Sequence, residues 1–127
     1  MQILNETSVA GWVNYMRDNM TAGVGQFIAA TATPVPGMNR RDLQRDWSAE
    51  IALADNPAAL VNSLATRLLG GPAPGPLHAE LVNAVTSLSV PVSLGPSNIT
   101  AVNAAKRVRV NAAVLLIMAT PEFLVQK

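Results

Sequence analysis

Proline and glycine divide this chain into lengths that suit helices. Asp55-Asn56-Pro57 places a capping residue ahead of a proline at the first helical position, where the missing N–H has no helical partner to lose. Gly70-Gly71-Pro72 is a stop, Gly75-Pro76 begins the next segment, and Thr120-Pro121-Glu122 repeats the cap-then-proline signal near the end. Between these marks apolar residues recur at helical spacing. Leu60, Leu64 and Leu68 line one face, with Val61 and Ala65 beside them. Leu77, Leu81, Ala84, Val85 and Leu88 line the next. A link of about six residues is typical of antiparallel neighbours, so these two helices are predicted to form a hairpin.

The flanking segments follow the same logic. Asn5 is placed as a cap with Glu6 in the first turn, and Val9, Trp12, Val13, Met16 and Met20 form a stripe that stops near Gly23. From Gly25 to Met38 the periodicity is lost. Gln26 to Thr33 has the apolar, partly β-branched character of a strand, but a strand needs a partner and no second candidate stands out, so an ordered loop is expected. Trp47 to Ala54 reads as a short helix with Trp47, Ile51 and Ala54 on one side, and Ser89 to Pro96 reads as a loop. The last long helix is expected from a Ser97 cap to about Ala119. Its second half, Ala112 to Met118, is apolar nearly all round, which belongs in the centre of a bundle. The predicted fold is therefore all-α, an irregular bundle of four or five helices with long ordered loops, forming one domain over 1–127.

Composition narrows the function classes. Half the residues are apolar and 13% are charged, against about a quarter in an ordinary domain. That excludes intrinsic disorder and implies that part of the surface is normally covered by something else. Nine basic and eight acidic residues give a net charge of +1, without the basic excess of a nucleic-acid binder. Cysteine is absent, so disulfide and thiolate chemistry are absent too. The N-terminus, Met1-Gln2-Ile3-Leu4-Asn5-Glu6, lacks the pattern of a signal peptide. The longest apolar run, Ala112 to Ala119, is far shorter than the roughly 20 residues that span a bilayer, so no membrane span is expected.

No residue set carries a complete chemistry. His78 is the only histidine, Glu80 is two residues away on a helix, and a zinc site needs three or four ligands; His78 is expected to face solvent in a first helical turn. Serine and threonine are numerous, but there is no Gly-x-Ser-x-Gly turn. Asp42, Asp46 and Glu50 recur every four residues and would share a helical face, yet Arg41 and Arg45 interleave with them, so a solvated face of mixed charge is expected. Gly70-Gly71 and Gly23-Val24-Gly25 lack the strand and Lys-Ser/Thr context of phosphate loops and read as helix stops. No catalytic, cofactor-binding or metal-binding residue is assigned, and no cofactor.

The basic run Lys106-Arg107-Val108-Arg109 is the most informative charge feature. On a helical wheel Arg107 joins Asn103 and Asn111 on a polar stripe, whereas Arg109 aligns with Val102, Ala105, Ala113 and Leu116. A cation on an apolar face needs a partner, because an unpaired buried charge is very costly. Arg109 is expected to meet a carboxylate such as Glu122, Glu50 or Asp46, or carbonyls at a helix end. Three charges without flanking aromatics do not make a nucleic-acid surface; that reading needs Lys106, Arg107 and Arg40 to converge.

The stretch from Arg107 to Phe123, with its Arg-bearing apolar helix running into Thr120-Pro121-Glu122-Phe123 and then Val125-Gln126, resembles the closing segment of the bacterial domain-of-unknown-function 1800 family. Ala52 to Val61 followed by Leu68-Leu69-Gly70-Gly71 is similar to that family's middle helices, and Gln2 to Asn5 followed by Val9-Ala10-Gly11-Trp12 to the start of its last third. Thr120 stands where serine is more usual, which preserves capping. The resemblance implies a longer, largely helical, exported bacterial parent of which this chain is the C-terminal part, and it carries over no catalytic residues.

Two functions follow as expectations. The first is a structural or interaction module that completes the parent's core or docks another protein, and whose exposed parent-facing surface would drive self-association in isolation. The second is a non-catalytic portion of an enzyme whose active site lies mainly in the missing N-terminal region. A flat apolar face favours the first, and a cleft lined by Arg40, Arg41 or Arg45 and an Asp favours the second.

Overall fold

The computed structural model describes residues 6–28 and 40–125. The fold is all-α apart from one small antiparallel ribbon. Contacts gather into two compact units, Met1–Asp46 and Trp47–Lys127, where length alone suggested one domain. No helix among the described residues is long and apolar enough to cross a membrane.

The first unit holds helix α1 (Glu6–Ala22) and strands β1 (Val24–Ile28) and β2 (Arg40–Leu43). The cap assigned to Asn5 lies outside the described residues. Gly23 ends α1: its φ is 83°, and an added Cβ would fall 2.4 Å from the Leu43 carbonyl oxygen, so only glycine fits. The Gln44 side chain then ties the turn together, donating to the carbonyls of Ala22 (2.9 Å) and Arg41 (2.8 Å).

The ribbon corrects the expectation of a loop without a strand partner. β1 pairs with β2 in the register Val24↔Leu43, Phe27↔Arg41 and Ile28↔Arg40, with an irregularity between Val24 and Phe27. The partner was hidden because β2 is Arg-Arg-Asp-Leu, which shows no apolar alternation. Backbone pairing defines it, helped by the Arg41 guanidinium donating to the Gly25 carbonyl at 2.8 Å.

The second unit holds α2 (Ser48–Leu53), α3 (Pro57–Leu69), α4 (Gly75–Ser87), a 3₁₀ turn (Gly95–Ser97), α5 (Ile99–Met118) and α6 (Pro121–Leu124). The punctuation works as read. Asn56 accepts from the Ala59 N–H at 3.1 Å with Pro57 behind it, and Gly70 closes α3 with φ 76°. Thr120 caps α6 through the Phe123 N–H, while its hydroxyl donates to the Ile117 carbonyl at 2.6 Å. The Ser97 cap is not seen. Ser97 sits in the 3₁₀ turn and Asn98 precedes α5, its side chain turned back to accept from the Leu94 N–H and donate to the Val92 carbonyl, both at 2.8 Å.

The core forms where these helices meet. Leu60, Val61, Leu64 and Ala65 of α3 are buried with Leu81 and Val85 of α4 and with Val102, Val110, Ala113, Val114 and Ile117 of α5. Trp47 and Ala54 close it from the α2 side. Helix α5 packs on α2, α3, α4 and α6 at once, the central place its composition called for.

Arg109 fixes that place. Its Nε donates to the Leu88 carbonyl at 2.6 Å and one terminal nitrogen donates to the Ala54 carbonyl at 2.9 Å. Leu88 and Ala54 are the C-cap residues of α4 and α2. The last carbonyls of a helix have no intrahelical donor and carry partial negative charge, so one cation satisfies two helix ends. Of the partners considered for Arg109, the carbonyls are the ones found, and Glu122, Glu50 and Asp46 are not. Three residues earlier, Lys106 reaches Asp55 at 2.5 Å, so α5 grips the α2–α3 junction twice.

Replacing Arg109 with Met removes both charge-assisted bonds and is expected to cost about 2–4 kcal/mol. Arg109→Lys, with its single point of charge, is expected to recover less than half of that. Urea unfolding midpoints measure both, and an unchanged midpoint in the Met variant would show that the clamp carries no stability.

Candidate functional site

The residues singled out for chemistry do not converge. His78 sits in the first turn of α4, half-buried rather than facing solvent. Its Nε2 is buried with no hydrogen-bond partner among the described residues, as is Asn111 Oδ1 on α5. Among the described residues there is no group of three or more His, Asp or Glu side chains placed to hold a metal ion.

The three spaced carboxylates separate, which corrects the expected mixed-charge face. Asp42 lies on β2, Asp46 is exposed in the segment after it, and Glu50 is in α2. Glu50 is 1% exposed and accepts from Arg67 of α3, whose own side chain is half exposed. Its burial was legible in the spacing: Trp47, Glu50 and Ala54 fall three and four apart, so Glu50 shares the face that Trp47 and Ala54 carry into the core.

The glycines act as the stops they were read to be, at φ 83° for Gly23 and 76° for Gly70. The basic run also separates. Lys106 is taken up by Asp55 and Arg109 by two carbonyls. Arg107 is exposed and makes no ion pair or side-chain hydrogen bond among the described residues. Arg40 lies on β2, in the other unit.

What the chain does present is the outward side of α5. Successive helical residues turn by about 100°. On that wheel Val102, Val110, Ala113, Val114 and Ile117 point one way and are buried. The opposite sector, roughly 120° wide, holds Ala101, Ala104, Ala105, Val108, Ala112, Leu115, Leu116 and Ala119. None of them is polar. Val108 is 53% and Leu116 39% exposed, Ala101, Ala104 and Ala119 are exposed, and the other three are half-buried. At a rise of 1.5 Å per residue this face is about 27 Å long. Its edges are polar: Thr100, Arg107 and Asn111 border one side, and Arg109 borders the other beside Leu116. At the N-terminal approach to α5 the Asn98 bonds hold a loop whose Val92 and Leu94 are 81% and 72% exposed.

Polar constellations are thus replaced by an apolar face on an anchored helix. Such faces on ordinary monomers are small, and larger ones mark contact with another molecule. No family model, curated protein or solved structure matches this chain.

The Glu50–Arg67 pair holds α2 to α3 beneath this arrangement. Arg67→Met leaves a buried carboxylate without its cation and is expected to cost roughly 1–3 kcal/mol, less than a wholly buried pair because Arg67 is half in solvent. The double variant Glu50→Met/Arg67→Met is expected to be more stable than Arg67→Met alone. Thermal unfolding of the two variants beside the parent chain checks this, and a double variant no more stable than the single would refute the pairing argument.

Proposed function

We propose that this chain is a non-catalytic helical interaction module, docking through the outward face of α5 onto the remainder of a longer parent chain or onto another protein. The observation that carries the reading is the continuous apolar sector of α5, from Ala101 to Ala119, exposed on a helix whose other side is already fixed in a core. A helix that is apolar all round is stable when buried on both sides, and here only one side is covered. The low charged fraction agrees: part of this surface is built for contact rather than for water. The separation of the carboxylates, the basic run and the lone histidine gives no support to a catalytic role for this chain. The resemblance of Arg107–Phe123 and the middle helices to the domain-of-unknown-function 1800 family supports a C-terminal position in an exported bacterial parent, and is part of the same proposal.

The reading requires that the face contribute little to the chain's own stability. Val108→Gln and Ala104→Gln place polar side chains on it with good helix formers, so each is expected to shift unfolding free energy by no more than roughly 0.5 kcal/mol. Urea titration followed by circular dichroism measures this. A loss above about 2 kcal/mol in either variant would mean that the face is core to this chain, and the proposal would fail.

A further inference from the structure

We infer that the occupant of the α5 face is an amphipathic helix with large apolar side chains along one stripe and carboxylates along its edge. This rests on the reading of that face as a docking surface and specifies its partner.

The shape of the face argues for a helix. Five of its eight residues are alanine, with Val108 at the centre and Leu115 and Leu116 towards one end. Low side chains leave room for a second helix to approach closely and to seat larger knobs beside Ala104, Val108 and Ala112. A face one helix wide and about 27 Å long matches a segment of about 18 residues. In projection it covers on the order of 270 Å², well below the ~800 Å² per partner of a stable two-protein interface. It therefore suits one added helix.

Charge says which kind of helix. α5 carries Lys106, Arg107 and Arg109 and no acidic residue. Lys106 and Arg109 are engaged within the fold, while Arg107 stands exposed at the edge of the apolar sector, next to Thr100 and Asn111. A carboxylate on an incoming helix would meet Arg107 at the rim of the contact, where complementary charge sets partner choice and orientation. The same charges oppose a second copy of this chain. An antiparallel pair of α5 faces would bring both Arg107 edges to one side. A parallel pair would set Arg107 against the edge that holds Arg109.

The experiment uses the full chain and two synthetic 18-residue helical peptides that share a leucine stripe and differ only in glutamate or lysine along its edges. Titration by isothermal calorimetry is expected to give binding at least about tenfold tighter for the glutamate peptide, with a smaller ratio in 1 M salt. Arg107→Glu is expected to invert the preference, and Val108→Gln to weaken both peptides. Equal binding, a preference for the lysine peptide, or no binding of either overturns the inference. So does a dimer of the chain, seen by sedimentation, that Val108→Gln dissociates. The stability of Val108→Gln separates the two proposals: if it matches the parent chain, such a result removes the acidic helix and leaves the docking face, and if it does not, both are lost.

Discussion

Two helices of the C-terminal unit, α2 and α4, end beneath a third, and their last carbonyls need donors that water cannot supply there. Arg109 meets both needs from the middle of α5. Because a guanidinium is a planar fork with fixed donor directions, satisfying Leu88 and Ala54 together sets the rotation and the height of α5 over the other helices. The Lys106–Asp55 pair, one turn earlier, acts in the same sense. Once the rotation is set, so is everything it exposes. Val102, Val110, Ala113 and Ile117 go inward and Val108 and Leu116 go outward, though both sets are apolar. Hydrophobicity by itself would not choose between those faces.

That point explains what could and could not be read from the sequence. The helix limits of α3, α4 and α6 were legible because Asn56-Pro57, Gly70, Gly75-Pro76 and Thr120-Pro121 punctuate by local sterics and capping, which depend only on neighbours in the chain. The need of Arg109 for carbonyls or a carboxylate was legible because a cation stood among apolar residues on one wheel. Which of these it would take was not, since Ala54 and Leu88 lie 55 and 21 residues away and their orphan carbonyls exist only once the helices are packed. The β1–β2 ribbon escaped for a related reason: its second strand is held by backbone pairing and carries no pattern in its side chains.

Glu50 shows the opposite error. Charge spacing with Asp42 and Asp46 suggested one exposed face, but that argument assumes a continuous helix, and the chain leaves β2 and starts α2 between them. The shorter-range relation to Trp47 and Ala54 held, because all three lie within or at the ends of the same short helix. Burying Glu50 then required a cation from the neighbouring element, and Arg67 of α3 supplies it from a half-exposed position where its own desolvation is partial.

The candidate site inherits the same logic. An all-round apolar helix predicts two covered faces, and the sequence supports no further distinction between them. Packing resolves one of the two: α2, α3, α4 and α6 occupy the side that Arg109 turns toward them. The face left over is not incidental to the fold, because rotating α5 to hide Val108 and Leu116 would pull Arg109 away from Leu88 and Ala54 and strand two buried carbonyls. The cost of that, comparable to several hydrogen bonds to a charged group, exceeds what the partial burial of one valine and one leucine would return. The exposed face of α5 is therefore held open by the clamp, and what covers it must come from outside the elements that the clamp joins.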